Sequence, residues 1–276
     1  IVDIWMPVRK SYAFIIYDNP ESTRAAIDQL QNEPIESIPA TTNRFYLFPV
    51  DKCPQHQEQR MDDEMPNGLI YISDYIDDSL AKRILDSIDS TGEWTNLSCR
   101  LVKHFGFEFR YGANDCDPSQ PLMRSPIPDL IRYELIERLV ADNLVDCAPD
   151  QLTVNMYEPG NGIPPHTDNC QAFGDCIVSL SLLSSVQMDF RLQQRRFKLQ
   201  LEPNSLLVMR GESRYLWSHA IAERKHDLIQ MDNNRMQVLK RSKRISLTFR
   251  KVKSATTNTT VNISTAMISL TEVKYI

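Results

Sequence analysis

A histidine and an aspartate stand two positions apart in the segment Pro165-His166-Thr167-Asp168. Side chains at i and i+2 lie on one face of an extended chain, so this imidazole and this carboxylate can reach one metal ion. A second histidine follows in Tyr215-Leu-Trp-Ser-His219-Ala-Ile221, where strand alternation predicts that His219 points into the core with Tyr215 and Trp217. Two histidines and one carboxylate leave open positions on Fe(II) for a co-substrate and dioxygen. The His-x-Asp spacing by itself is weak evidence for a metal site, because most such tripeptides lie on the surface without a function or form hydrogen-bonded polar pairs.

A second pattern supports this chemistry. In Arg244-Ile-Ser-Leu-Thr-Phe-Arg250, polar and apolar residues alternate, so both arginines fall on one face of a predicted strand. Buried guanidinium groups require anions, and the natural partner of two is a dicarboxylate. Asn155 and Tyr157 share a strand face by the same alternation and offer hydrogen bonds to complete the clamp. The alternative is an edge strand with solvated arginines.

Two helices and a series of short strands must position these residues. One helix opens at Asp77-Asp78-Ser79, with Leu80, Ile84, Leu85 and Ile88 inward. A second spans Pro128 to Asn143, with Leu130, Ile131, Leu135, Leu139 and Val140 inward. The predicted strands are Leu69–Ile72, Leu152–Tyr157, Ile177–Leu183, Phe197–Leu201, Leu206–Met209, Arg214–Ile221 and Ile245–Phe249. Short strands at this spacing favour a sandwich or a barrel.

Composition excludes several classes of protein. The 276 residues include 31 Lys and Arg against 36 Asp and Glu, which gives a formal net charge of −5. Glycine occurs only 8 times, and neither a GxGxxG nor a P-loop motif is present, so dinucleotide and P-loop phosphate chemistry are not expected. No apolar run approaches the roughly 18 residues of a membrane helix, and no membrane partner is expected. The six cysteines are scattered, which favours reduced thiols in a cytoplasmic or nuclear protein.

Taken together, these motifs resemble a known family. The segments Asn155-Met-Tyr157-Glu-Pro-Gly160, His166-Thr-Asp168, Gly211-Glu-Ser-Arg-Tyr-Leu-Trp-Ser-His219 and Arg244-x5-Arg250 look like the AlkB family of Fe(II)/2-oxoglutarate dioxygenases. The likeness runs from about Leu69 to Lys253 and includes Val102-Lys-His-Phe-Gly-Phe-Glu-Phe109. It implies a β-rich α+β fold, with a double-stranded β-helix (jelly-roll) core and flanking helices. It also implies Fe(II) on His166, Asp168 and His219, and 2-oxoglutarate on Asn155, Tyr157, Arg244 and Arg250.

The likeness is closest to family members that hydroxylate a modified wobble uridine, of the 5-methoxycarbonylmethyluridine type, in tRNA. A uridine in an anticodon loop is already unpaired, so no duplex need be opened to reach it. Two alternatives remain open. In the first, the chain is a catalytically inert RNA-binding or scaffold protein. In the second, it is an AlkB-like oxygenase that acts on another methylated RNA base or on a protein side chain.

The first 52 residues resemble half of an RNA-recognition motif, which those relatives also carry. Lys10-Ser-Tyr12-Ala-Phe14-Ile-Ile-Tyr17 is similar to the strand whose aromatic rings stack on unpaired bases, and Tyr12 and Phe14 share a face. A core role for the same rings is the alternative. The predicted organisation is a partial RRM-like α/β unit at residues 1–52, a linker at 53–66, the oxygenase domain at 67–253 and a polar tail at 254–276.

Three further expectations concern partners and cofactors. Basic residues near the second arginine, Lys240, Arg241 and Lys243, are candidates for contact with a phosphate backbone or for a solvated loop. The relatives hold a structural zinc with a histidine and cysteines, but here Cys170 stands at the histidine position and Ser254-Ala-Thr-Thr-Asn-Thr-Thr lacks cysteine. We therefore predict no structural zinc. The relatives also carry a methyltransferase domain, so a separate tRNA methyltransferase with its small activator subunit is an expected partner.

Overall fold

A computed structural model describes residues 3–5, 14–31, 47, 49, 60–61, 64–230 and 236–253. The chain divides into two compact units, Ile1–Gln59 and Arg60–Ile276. The helices are α1 (Pro20–Leu30), α2 (Asp78–Asp89), α3 (Asp129–Ile131), a π-helical turn (Arg132–Ile136), α4 (Glu137–Ala141) and α5 (Gly211–Tyr215). None of these described helices combines the length and the apolar character needed to cross a membrane.

Short strands make up most of the remaining regular structure. In chain order they are β1 (Asp3–Trp5), β2 (Phe14–Ile16), β3 (Arg60–Met61), β4 (Leu69–Ile72), β5 (Thr95–Leu97), β6 (Arg100–Phe105), β7 (Gln151–Tyr157), β8 (Ile163–His166), β9 (Phe173–Leu182), β10 (Val186–Leu192), β11 (Arg195–Leu201), β12 (Leu206–Met209), β13 (Ser218–Ile221), β14 (His226–Gln230), β15 (Met236–Lys240) and β16 (Arg244–Val252). The sequence predicted β4 and β12 with these bounds. Seven strands of the larger unit were not predicted, namely β3, β5, β6, β8, β10, β14 and β15.

The N-terminal unit contains β1, β2 and α1. Strands β1 and β2 pair antiparallel. Helix α1 begins at Pro20, because the Asn19 side chain accepts a hydrogen bond from the Ser22 N–H at 2.8 Å and Pro20 occupies the first turn. Tyr12 and most of the predicted linker at 53–66 lie outside the described residues. The RRM-like organisation therefore stays a prediction.

The larger unit is built on two mainly antiparallel sheets. A seven-stranded sheet has the order β4-β12-β9-β16-β7-β6-β5, so β16 lies in the middle between β9 and β7. The apolar residues of β16, Ile245, Leu247 and Phe249, belong to one hydrophobic core with α2, α3, α4 and the π-helical turn. The helices therefore cover one face of this sheet, and the polar residues of β16 occupy the other.

The second sheet has the order β3-β11-β10-β13-β8, with one parallel pair, β3 with β11. Apolar residues from both sheets form a second core that includes Ile177 and Leu207 of one sheet and Phe190 and Ile221 of the other. Two largely antiparallel sheets packed over a shared core form a jelly-roll, the fold that the family resemblance implied. The hairpin of β14 and β15 forms a separate two-stranded sheet.

Two local predictions were wrong. The segment Arg214–Ile221 is not one strand, since residues up to Tyr215 form α5 and only Ser218–Ile221 is extended. The Leu216 N–H donates to the Glu212 oxygen at 2.9 Å, which closes a helical turn. Tyr215 is consequently 39% exposed and does not share a strand face with His219. Val140, predicted to point inward from its helix, is also exposed.

Candidate active site

The three predicted metal ligands lie together at the edge of the five-stranded sheet. His166 ends β8, and His219 lies directly opposite it on β13. Their ring centroids are 4.3 Å apart, and Asp168 Oδ2 is 3.9 Å from His219 Nε2. The candidate ligand atoms of all three side chains fall within 4.8 Å of one another. No other cluster of His, Cys, Asp and Glu in the described part of the chain has this arrangement.

Both imidazoles are in the form that binds a metal. His166 Nδ1 is 2.9 Å from the Pro164 oxygen. Because a carbonyl oxygen only accepts, Nδ1 carries the hydrogen and Nε2 keeps its lone pair. Burial lowers the pKa of His166, and burial together with the neighbouring His166 lowers the pKa of His219 to about 3. Both rings are therefore neutral near pH 7.

Two arginines hold Asp168, one through its carboxylate and one through its backbone oxygen. Arg250 Nε donates to Asp168 Oδ1 at 2.7 Å, and Arg214 Nη1 donates to the Asp168 backbone oxygen at 2.7 Å. Burial acts to raise the pKa of Asp168, but the charge of Arg250 keeps it well below its usual range. The side chain is therefore an ionised carboxylate, and its second oxygen is the one nearest to His219.

Arg244 lies at the other end of β16 in a different environment. Its side chain is buried, with 3% of the residue exposed, and its Nη2 donates to Ser181 Oγ at 2.8 Å. Its guanidinium lies over the Tyr157 ring, 5.6 Å from the centroid. Among the described residues Nε has no hydrogen-bond partner and no carboxylate forms an ion pair with this arginine. Burial accordingly lowers the pKa of Arg244 to about 10. A buried cation without an acid is a receptor for an anion.

Arg250 is already bonded to the protein. Besides Asp168, it donates through Nη1 to Gln151 Oε1 at 3.2 Å and to Thr153 Oγ1 at 3.1 Å. Its guanidinium lies 4.9 Å from the centroid of the Phe173 ring. Sequence alternation placed both arginines on one face but did not reveal that one of them meets the predicted metal ligand. Its contact with 2-oxoglutarate stays a prediction.

The two other predicted co-substrate residues lie on β7 beside β16. In the antiparallel register Tyr157 is opposite Arg244, and Asn155 is opposite Ser246. The Asn155 side-chain oxygen accepts a hydrogen bond from Arg100 Nε at 3.0 Å. The Arg100 guanidinium in turn lies 5.7 Å from the centroid of the Tyr111 ring. The structure thus places Tyr157 directly beside Arg244 and Asn155 two positions further along the same pair of strands.

Sequence reasoning missed Arg100 and Arg214. Strand β6 pairs with β7 so that Val102 lies opposite Asn155. Alternation along β6 would have placed Arg100 on the same face, had this strand been predicted. Arg214 carried no such signal, because it belongs to a short helix that the sequence presented as a strand.

The predicted RNA contacts fall in different environments. Lys240 and Lys243 are exposed, as a contact with phosphate requires. Arg241 is buried, and its guanidinium donates to both Asp227 oxygens at 2.7 Å. The prediction that Arg241 contacts RNA is therefore wrong in this structure, because an internal ion pair neutralises its charge. Phe14 is half-buried on β2, while Tyr12 lies outside the described residues.

An open cleft adjoins the metal ligands. It measures about 230 Å³ and is lined by Asn114, Thr167, Asp168, Asn169, Cys170, Arg214 and Tyr215. Asn169 bridges the segment after the metal-ligand motif to the loop at Asn114, because its amide donates to the Asn114 oxygen. Cys170 is exposed. The residues at 254–276, where the zinc ligands of the relatives would fall, lie outside the described residues, so the zinc expectation stays a prediction.

A jelly-roll with two histidines and one carboxylate at its edge defines a class of protein, the non-haem iron oxygenases. Comparison with known proteins gives the same class. Residues 68–250 match the 2OG-Fe(II) oxygenase superfamily. A solved structure of OsALKBH1 matches with a TM-score of 0.53 at 17% identity, over 69% of this chain and 99% of that chain. At this identity the likeness concerns the fold alone.

Curated relatives are more similar in sequence. The chain is 38% identical over 264 residues to "tRNA (carboxymethyluridine(34)-5-O)-methyltransferase alkbh8" of Xenopus tropicalis, covering 90% of this chain and 41% of that protein. It is 30% identical to "Alkylated DNA repair protein ALKBH8 homolog" of Arabidopsis thaliana, covering 87% of this chain and 76% of that protein. The chain thus spans about two fifths of the frog relative. It belongs to the 2OG-Fe(II) oxygenase superfamily and, within it, to the AlkB-like dioxygenases.

The residues present fit the Fe(II) and 2-oxoglutarate of this family. Two neutral imidazoles and an ionised carboxylate are the donor types that Fe(II) takes. The buried Arg244, whose Nε has no partner among the described residues, fits a carboxylate of a dicarboxylic acid.

Proposed function

We propose that this chain is an Fe(II)- and 2-oxoglutarate-dependent hydroxylase of a modified wobble uridine, of the 5-methoxycarbonylmethyluridine type, in tRNA. The observation that carries the oxygenase chemistry is the convergence of His166, Asp168 and His219 in one unit with the buried Arg244, which has no acidic partner among the described residues. The substrate rests on likeness, because the name of the frog relative refers to a uridine at tRNA position 34.

Each side chain has a role that follows from its surroundings. His166, through Nε2, would hold the metal with Asp168 and His219. When bound, the metal and 2-oxoglutarate supply the oxidising power, since the keto acid is oxidised to succinate and carbon dioxide as dioxygen is consumed. Arg244 would bind the distal carboxylate of the co-substrate, assisted by Asn155 and Tyr157. Arg250 would keep Asp168 ionised and fix its orientation, in addition to its predicted contact with the co-substrate.

The substrate would enter the cleft beside Asp168. Among the described residues, Asp168 is the only carboxylate that lines this cleft, and the other lining groups are amides, hydroxyls, a thiol and Arg214. Such a lining suits a neutral base better than a cationic methylated one, because the described lining offers no free carboxylate to pair with a positive charge. Exposed Lys240 and Lys243 are available for the phosphate backbone.

The test is a turnover assay with the full chain loaded with Fe(II) under anaerobic conditions. We expect succinate release that depends on tRNA, and a hydroxylated wobble nucleoside detected by mass spectrometry. His166→Ala should reduce both signals to background, because a metal ligand is lost. His226→Ala is the matched control, since His226 is exposed on β14 and belongs to no metal cluster among the described residues.

The outcomes separate the alternatives. Succinate release that is unchanged by His166→Ala would refute the site. Binding of tRNA with no turnover, and with no stabilisation by metal and 2-oxoglutarate in thermal unfolding, would favour an inert RNA-binding or scaffold protein. Turnover without a modified wobble nucleoside would favour another methylated RNA base or a protein side chain as the substrate.

A further inference from the structure

Arg214 is buried next to the candidate metal site but belongs to neither predicted ligand set. It lies on α5, and 2% of the residue is exposed. Its three hydrogen bonds to described residues all end on backbone oxygens. Nη1 donates to Asp168 at 2.7 Å, Nη2 to Asn169 at 3.3 Å and Nε to Gly174 at 3.4 Å. A buried guanidinium is costly to desolvate, so a side chain used in this way requires an explanation beyond packing.

The backbone around the three candidate ligands supplies that explanation. His166 and His219 lie on paired strands, and the ladder between β8 and β13 fixes both positions. Asp168 lies after the end of β8 and before β9, where no strand pairing holds the chain. The Arg214 fork contacts this connection at Asp168 and Asn169, and it also contacts Gly174, the second residue of β9. The later part of the connection has further backbone bonds, from the Phe173 N–H to the Asn169 oxygen and from the Lys253 N–H to the Ala172 oxygen, whereas the Asp168 oxygen is held by Arg214.

The side chain of Asp168 is fixed separately. Arg250 holds its Oδ1, while Arg214 holds its backbone oxygen. With both the backbone and one carboxylate oxygen fixed, Oδ2 is directed toward His219. Groups that orient a metal ligand through hydrogen bonds affect metal affinity although they do not touch the metal.

From these contacts we infer that Arg214 is a positioning residue, which places Asp168 for metal binding by holding the backbone that follows β8. The inference rests on the metal site of the proposed function but not on its tRNA substrate. It predicts that replacing Arg214 weakens metal binding by more than the accompanying loss of fold stability would explain.

The test measures binding of Mn(II) alone, by electron paramagnetic resonance, without 2-oxoglutarate and without turnover. We expect Arg214→Met to weaken Mn(II) binding by about 10- to 100-fold, the range found for groups that orient metal ligands. Arg214→Lys keeps the charge but loses the three-donor fork, so its affinity should fall between those of the wild type and Arg214→Met.

Lys103→Met is the matched control. Lys103 is likewise a buried cation, 4% exposed, and its Nζ donates only to backbone oxygens, of Ile88 at 2.8 Å and Thr91 at 2.6 Å. It contacts no candidate metal ligand. Lys103→Met should lower the temperature of unfolding as Arg214→Met does, but leave the Mn(II) affinity within about twofold of the wild type, because the carboxylate ligand keeps its supports.

Each outcome decides a stated point. Wild-type Mn(II) affinity in a folded Arg214→Met chain would overturn the inference. If that variant does not fold, wild-type affinity in Arg214→Lys would overturn it instead. A loss of affinity in Lys103→Met as large as that in Arg214→Met would also overturn it, because the effect would then follow stability alone. Failure of the wild-type chain to bind Mn(II) would refute the metal site of the proposed function.

Discussion

The two arginines of β16 differ in whether the protein supplies an anion for them. Arg250 donates to a carboxylate, an amide and a hydroxyl, and it is charged and satisfied by the protein itself. Arg244, six positions earlier on the same strand face, has one hydrogen bond to a serine hydroxyl and no acid partner among the described residues. An arginine that already has its anion is part of the scaffold, and one that lacks it is a binding site. This contrast assigns different tasks to residues that the sequence presents as a symmetric pair.

Arg250→Met tests the scaffold end and has the largest expected effect. Removing one partner of a buried ion pair leaves Asp168 uncompensated, so the metal-free chain should lose about 3–5 kcal/mol of unfolding free energy. Denaturant unfolding in the presence of a chelator measures this loss. Added Mn(II) should reduce it, because the cation takes over the compensation of the carboxylate charge. A loss that is the same with and without metal would contradict the assignment.

Arg244→Met tests the receptor end. Its removal breaks no ion pair with a described residue, so the unfolding free energy without ligand should stay within about 1 kcal/mol of the wild type. The KM for 2-oxoglutarate should rise about 100-fold, since a buried charge-assisted contact with the co-substrate is lost. Steady-state succinate assays measure it.

Lys243→Met provides the control for this receptor. Lys243 immediately precedes Arg244 in the chain, but it is exposed. Its removal should leave the KM for 2-oxoglutarate unchanged. If both variants raised the KM equally, the co-substrate would respond to general positive charge and not to a built receptor.

The smallest expected effect concerns acid. Burial depresses the pKa of His219 to about 3. As the pH falls below the ordinary histidine pKa, this side chain therefore becomes protonated in the unfolded chain but stays neutral in the folded chain. The stability contributed by neutral His219 is therefore present above about pH 6.5 and declines as the pH falls toward the folded pKa. One such group contributes a slope of about 1.4 kcal/mol per pH unit.

His219→Gln should remove that part of the acid dependence. Urea unfolding of the metal-free protein between pH 4 and pH 6 measures the slope for both chains, and the variant should show the shallower one. His226→Gln, on the exposed hairpin strand β14, should keep the wild-type slope. Equal slopes for His219→Gln and the wild type would show that this histidine does not enter the folded core in neutral form.

Local patterns in the chain predicted most of the elements and the identity of the metal cluster. Polar and apolar residues alternate along β16, which forms as predicted with the arginines on one face and Ile245, Leu247 and Phe249 in the core. Helix α2 begins at its predicted cap, where the Asp77 carboxylate accepts a hydrogen bond from the Leu80 N–H at 2.7 Å. These features depend on neighbours in sequence, which the period of the side chains records directly.

Contacts between distant segments could not be predicted from the sequence. Arg250 and Asp168 are separated by 82 positions, and Arg214 and Asp168 by 46, and no periodic signal marks either contact. In the sequence Arg241 has the pattern of a solvated charge, whereas in the fold it is buried and paired with Asp227. The sequence by itself determined which residue types lie on each face of a strand. The tertiary structure alone decided which buried charge is neutralised by the protein and which awaits a ligand, because that balance depends on side chains that the fold brings together from remote parts of the chain.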